Sequence, residues 1–186
     1  MLEEQLEIVR GLWAGPDGWS FSGKHYTVSD ALFRPKPTPV PWIITGGEGS
    51  PRGMRIAVKY SDEFNLTSST PETSRQKFAQ LDAACIAGGR KPASLARSAM
   101  TGMMIGRTEA EYLEKLRGFM SRVGAAGDPE EYLAPRRARW LVGTPDQALA
   151  QMRAFRDAGS SRLMVQHMDP TETTSLDLLA ELHAQL

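Results

Sequence analysis

Trp42-Ile43-Ile44-Thr45-Gly46-Gly47-Glu48-Gly49-Ser50-Pro51 is the stretch on which the fold turns. Trp42 to Thr45 is a short apolar run bounded by Pro41 and Gly46, the pattern of a strand buried on both faces. The backbone is then almost bare through Gly46, Gly47 and Gly49. Ser50 is a good N-cap and Pro51 suits a first helical position, so a helix follows, burying Met54, Ala57 and Val58. Strand, glycine turn, capped helix is one β/α unit.

The same unit recurs downstream. Asp62 to Leu66 reads as a strand, and Thr70-Pro71-Glu72 opens a helix whose core face is Phe78, Leu81 and Cys85. Ser98 to Ile105 (SAMTGMMI) is a third strand, and Thr108-Glu109-Ala110-Glu111 is a capping box for the helix after it. Thr144-Pro145-Asp146-Gln147 is a second capping box, with Leu149, Met152 and Phe155 on the helix face and a stop at Gly159. Leu163 to Val165 is a fourth strand, and a last helix carries Leu176, Leu179, Leu182 and Leu186. Residues 124–143, turn-rich and charged, read as an insertion outside the core. Upstream, Leu2, Leu6, Val9 and Trp13 form a helical stripe, and residues 14–41 read as a hairpin and proline-rich loop.

Repeated strand–helix alternation means parallel strands joined by helical crossovers. Two architectures fit this order, an open doubly wound sheet or part of a (β/α)8 barrel. With 186 residues the chain reads as a single domain, 1–186. Its 22 Lys+Arg balance 22 Asp+Glu, so it lacks the basic surplus that nucleic acid binding requires. No apolar run approaches the ~20 residues needed to cross a bilayer. Glu3, Glu4 and Glu7 give the N-terminus the wrong charge for a signal peptide, which points to a cytoplasmic chain. One cysteine builds neither a disulfide framework nor a zinc site, and no metal-ligand spacing is present.

The chemistry lies in the glycine turn. Glycines let the main chain approach a ligand closely, and the N–H groups and dipole of the following helix favour an anion there, so the turn suits a phosphate. It is neither a Walker motif nor a full GxGxxG, because no Gly-Lys-Ser/Thr follows and Arg52 stands where the last glycine belongs. Asn65 and Thr67 lie at the end of the second strand, within reach of a ligand. Among three histidines only His167, just past the fourth strand, stands where ligands gather in parallel α/β folds. No catalytic acid or base is assigned.

The sequence resembles the C-terminal half of the bacterial luciferase-like monooxygenases, especially their branch of oxidoreductases dependent on the deazaflavin coenzyme F420. The resemblance runs in order through residues 2–13, Phe21-Ser22-Gly23-Lys24-His25-Tyr26 and Phe33-Arg34-Pro35-Lys36-Pro37. It is most characteristic at Ile43-Ile44-Thr45-Gly46-Gly47 and at residues 55–65, and closes with Val142-Gly143-Thr144-Pro145-Asp146 and Arg162-Leu163-Met164-Val165-Gln166. Glu63-Phe64 replaces a frequent Gly-Trp of the family.

The resemblance implies a (β/α)8 TIM-type barrel with a flavin at the C-terminal ends of the strands. It makes Gly46 and Gly47 cofactor contacts, with Thr45, Gly49 and Ser50 beside them. It implies hydride transfer between reduced F420, or alternatively FMN, and a small organic substrate. A full barrel takes about 250 residues, whereas four β/α units are legible here. The expectation is therefore the C-terminal half of a barrel, with two unpaired sheet edges. Either a homodimer or another chain supplying the missing half would complete it. The alternative is a non-catalytic or truncated half-barrel that works only as a dimer or with a partner chain.

Overall fold

The computed structural model describes residues 1–169 and 171–186. Helix α1 (Leu2–Ala14) leads into an antiparallel hairpin, β1 (Trp19–Ser22) with β2 (Thr27–Ala31). The main body follows as β3 (Ile44–Gly47), α2 (Pro51–Tyr60), β4 (Glu63–Thr67), α3 (Pro71–Ala87) and β5 (Ala96–Ile105). Then come α4 (Glu109–Arg122), α5 (Pro129–Leu133), β6 (Leu141–Gly143), α6 (Pro145–Asp157), β7 (Arg162–His167) and α7 (Thr174–His183).

The five strands β3 to β7 form one sheet in which every pairing is parallel. β5 is its spine. It pairs β4 along its first half and β7 along its middle, and its end pairs β6. Met103 is partnered by both His167 and Leu141, so β6 lies on the β4 side of β5, beyond the end of β4. Among the described residues β3 pairs only β4, and β7 only β5, which leaves one open edge on each. This is an α/β fold with a parallel sheet, the architecture of a partial (β/α)8 barrel.

Helices α2, α3, α6 and α7 cover one face of that sheet, while α4 and α5 pack on the other face at the end of β5 and on β6, against Met104 and Val142. Phe64 and Leu66 from β4 pack against Met54 and Ala57 of α2 and Phe78, Leu81 and Cys85 of α3. Met103 and Ile105 of β5 meet Leu149 and Met152 of α6 and Leu178 and Leu182 of α7. Each fully buried Leu, Ile, Phe or Met among these contributes about 1.5–3 kcal/mol. The helix ends are tied as the sequence suggests. Ser50 Oγ accepts from the Gly53 amide and Thr70 Oγ1 from the Thr73 amide, and Gln147 Oε1 accepts from the Thr144 amide. At the far end of α2, Arg90 donates to the carbonyls of Val58 and Ser61.

Three sequence expectations are corrected, and the expected N-terminal helix is present as α1. The strand expected at Trp42–Thr45 runs over Ile44–Gly47 and is not buried on both faces; Trp42 is 60% exposed and Ile44 43%, because this is an edge strand. Residues 124–143 do not stand outside the core. They contain α5 and β6, burying Leu133 and Val142 beneath α4 and Leu141 among α6 and α7. Helix α7 turns Ser175, Leu178 and Leu182 inward and leaves Leu176 half exposed. Helix α1 buries no residue; its firmest tie is Arg10, 2.6 Å from Asp62 and bonded to the Tyr60 carbonyl.

Candidate active site

The face of the sheet that the central helices leave bare is built from alternate residues. Register places Gly46 of β3 beside Asn65 of β4, Asn65 beside Ser98 of β5, and Ser98 beside Arg162 of β7. One rung below, Ile44 pairs Glu63; above, Met100 pairs Met164 and Gly102 pairs Gln166. In a (β/α)8 barrel this face is the interior, and the ends of the strands at Gly47, Thr67, Ile105 and His167 form the mouth.

At the β3 corner of the mouth the backbone is stripped. A Cβ on Gly46 would meet only ordinary contacts, the nearest 3.5 Å away at the Asn65 carbonyl, and one on Gly47 would meet nothing within 4 Å. Gly49 differs. It is buried with φ +73°, where a side chain is strained, and its Cβ would press on Lys77 and Met54. Lys77 Nζ donates to its carbonyl at 3.2 Å. Gly49 thus shapes the turn, whereas Gly46 and Gly47 leave space. Ser50 caps α2 from an exposed position, and the Thr45 hydroxyl is hydrogen-bonded to Ser61 Oγ at 2.8 Å on the helix-covered face. A ligand at the turn would therefore meet the main chain of Thr45, not its hydroxyl. Glu48 is exposed and leaves the turn unobstructed.

Behind the bare glycines lies a buried polar chain. Asn65 Nδ2 donates to Ser98 Oγ at 2.7 Å and approaches the Met164 sulfur at 3.4 Å. Ser98 Oγ donates in turn to Glu63 Oε1. Glu63 is 1% exposed, and its Oε2 holds no hydrogen bond among the described residues although Arg162 Nη2 lies 3.3 Å away. The proximity of Arg162 offsets charge, but its orientation does not make a hydrogen bond. The sequence reading singled out Asn65 but missed Glu63 and Ser98. Their signal is the presence of polar residues at alternate positions of strands otherwise apolar.

The β5 and β7 corner is filled. Trp140 and Met168 lie against Gly102, where a Cβ would come within 2.7 Å of the indole and 2.5 Å of the thioether methyl. His167 does not enter the interior. It falls on the helix-covered side of β7, with Nε2 3.6 Å from Glu172. Around Glu172 sit Lys115 at 3.5 Å, the Ser175 amide at 3.1 Å and the Thr174 hydroxyl. Burial pushes the Glu172 carboxyl up, but Ser175, Thr174 and the Lys115 cation outweigh it and hold the group at about 2. At the opposite end of the strands, burial likewise raises Asp62 while the Ile43 amide and Arg10 pull it below the ordinary carboxylate range. Among the described residues no His, Cys, Asp or Glu group of three or more could hold a metal ion. No helix among them is long and apolar enough to cross a membrane.

A family model for luciferase-like monooxygenases matches residues 1–162. The chain belongs to that family. Solved structures similar to this luciferase-like chain share its fold at low identity. An F420-dependent secondary alcohol dehydrogenase in complex with an F420–acetone adduct matches at TM-score 0.78 and 18% identity, over 98% of this chain and 60% of that one. A coenzyme F420-dependent tetrahydromethanopterin reductase from Methanopyrus kandleri gives 0.72 and 16%, over 97% and 60%. An EDTA monooxygenase from Chelativorans sp. BNC1 gives 0.71 and 20%, over 98% and 58%. The luciferase-like chain thus spans 60% or less of the length of each of these proteins. No curated protein matches it in sequence.

Proposed function

We propose that this chain forms the coenzyme-holding half of a flavin- or deazaflavin-dependent oxidoreductase that acts on a small organic substrate. The observation that carries this reading is the open main-chain surface at Gly46 and Gly47, at the mouth of parallel strands and beside the capped start of α2. An anionic coenzyme tail fits such a surface, because no Cβ occupies it and the helix start favours negative charge. Gly47 and the exposed amides at the start of α2 would meet the tail, and Gly46, beside the Thr45 backbone, would leave room for the part of the coenzyme nearer the ring. Gly49 and Ser50 would hold the turn in shape.

A coenzyme bound there supplies the hydride chemistry, while the protein supplies position and exclusion of water. F420 is the first choice and FMN the alternative. This follows the two F420-dependent neighbours and is tempered by the monooxygenase among them. His167 takes no part in proton transfer in this reading, since Glu172 and α7 occupy its surroundings. No nucleic acid and no membrane enters the scheme.

The test is titration of the protein with F420 and with FMN, followed by fluorescence. Saturable quenching by F420 supports the proposal as stated, and quenching by FMN alone moves it to the flavin branch. Absence of binding by either sinks it.

A second reading has its own support. The edges of β3 and β7 are open, and Trp42 and Ile44 are exposed at the first of them. Those surfaces suit a half-barrel that works only as a homodimer or with a chain supplying the other half. Light scattering after size exclusion distinguishes the readings. A monomer that binds coenzyme contradicts the second, and a dimer without coenzyme affinity favours it.

A further inference from the structure

Glu63, Ser98 and Asn65 form a hydrogen-bond chain with a fixed direction. A carboxylate only accepts, so Ser98 must donate to Glu63. The Ser98 oxygen then accepts from Asn65 Nδ2, whose other hydrogen faces the Met164 sulfur. Both amide hydrogens of Asn65 are turned toward β5 and β7. Its Oδ1 is turned the other way, 3.9 Å from where a Gly46 Cβ would stand, and accepts no hydrogen bond among the described residues. Asn65 is only 6% exposed, yet its Oδ1 is not among the buried atoms, so this is an unpaired acceptor of a buried side chain, accessible from the space that Gly46 leaves open.

We propose that Asn65 Oδ1 accepts the imide N–H of a flavin or deazaflavin ring, and that Glu63, through Ser98, is the positioning residue that keeps the oxygen facing the ligand. The inference rests on the flavin-type reading of the site. Three observations converge on a ring edge at this place. The acceptor belongs to a buried side chain and is unpaired, its amide cannot turn over without breaking two contacts, and the neighbouring inner-face pair, Met100 and Met164, is apolar and polarizable. A site built around such an acceptor discriminates strongly against a ligand that lacks the matching donor, because the acceptor is then left unpaired.

The experiment compares each coenzyme, F420 and FMN, with its ring-N3-methylated derivative in fluorescence titrations. The native protein should bind the parent at least about tenfold more tightly than the methylated compound. Asn65→Leu should weaken parent binding and bring that ratio to within about twofold. Glu63→Gln should do the same without touching the ligand, because a Gln amide can donate to Ser98 and release Asn65 to turn. Ser98→Ala removes only one hydroxyl and carries the test should Glu63→Gln fail to fold. A merely structural role for Glu63 would lower the melting temperature and leave the ratio intact. A native ratio near one, or a ratio that survives both Asn65→Leu and Ser98→Ala, overturns the assignment while leaving coenzyme binding standing. Failure of both coenzymes to bind overturns this assignment and the flavin reading together.

Discussion

The turn after β3 and the turn after β7 occupy equivalent places, each leading from the C-terminal end of a parallel strand into a helix. Chemically they are opposites. At residues 46–50 side chains have been withdrawn and main chain is on display. Between His167 and Ser175 the carboxylates and most of the described hydroxyls are engaged. Glu172 takes bonds from Ser175 and Thr174, Lys115 reaches Thr174 and Ser175 at 3.0 Å, and Asp169 pairs Arg122 at 2.7 Å. One end of the sheet is left vacant of side chains and the other is stitched shut. A shared scaffold therefore does not make all strand ends equal as sites. The difference lies in what the side chains are already doing.

Substitutions can test that contrast. The largest effect is expected from Gly49→Val. Positive φ and contact with Lys77 and Met54 should together cost about 3 kcal/mol, read as a lower denaturation midpoint. Next is Glu172→Gln, which leaves Lys115 less well compensated and should cost about 2 kcal/mol. The same carboxyl gives a pH signature. Its folded pKa of about 2 lies below the ordinary 4.5. Its stabilisation is therefore complete above 4.5 and is lost as pH falls from there toward 2, and thermal melts of the variant should lack that acid-limb slope.

Gly46→Val should reverse the pattern. The fold should tolerate the side chain, because its Cβ meets only ordinary contacts, yet coenzyme affinity should fall at least tenfold, about 1.4 kcal/mol. Unchanged affinity would mean the vacancy is not used. Ser50→Ala should show the smallest effect, about 1 kcal/mol from loss of the cap on α2, seen as a small drop in melting temperature.

Much of this architecture is legible in the residues because punctuation is explicit. Ser50-Pro51, Thr70-Pro71 and Thr144-Pro145 mark helix starts, and the long apolar run SAMTGMMI marks the spine of the sheet. β6 escaped notice because three residues, Leu141 to Gly143, follow directly on the charged Arg136–Trp140 segment, too short a run for alternation to register. The face of α7 was ambiguous for a different reason. Leu176, Leu179 and Leu182 share helical spacing with Ser175, Leu178 and Leu182, and only tertiary packing chooses between the two sets. Gly46 and Gly47 could be picked out individually. The link from Asn65 to Glu63 could not, since it depends on the pairing of β4 with β5 and no local pattern encodes register. His167 shows the same limit. One residue of parity decides whether a side chain at a strand end faces the lumen or the helices, and here parity sends it outward.

Gly102 has a further consequence. By lacking a side chain it admits Trp140 and Met168 against β5, so the aromatic ring stands as a wall along that flank of the opening. Entry is thereby lopsided. The bare surface at the strand tips is instead at the β3 end, around Gly46 and Gly47. The bulk of Trp140, remote in sequence from every glycine of the turn, thus takes up the room that Gly102 leaves beside β5.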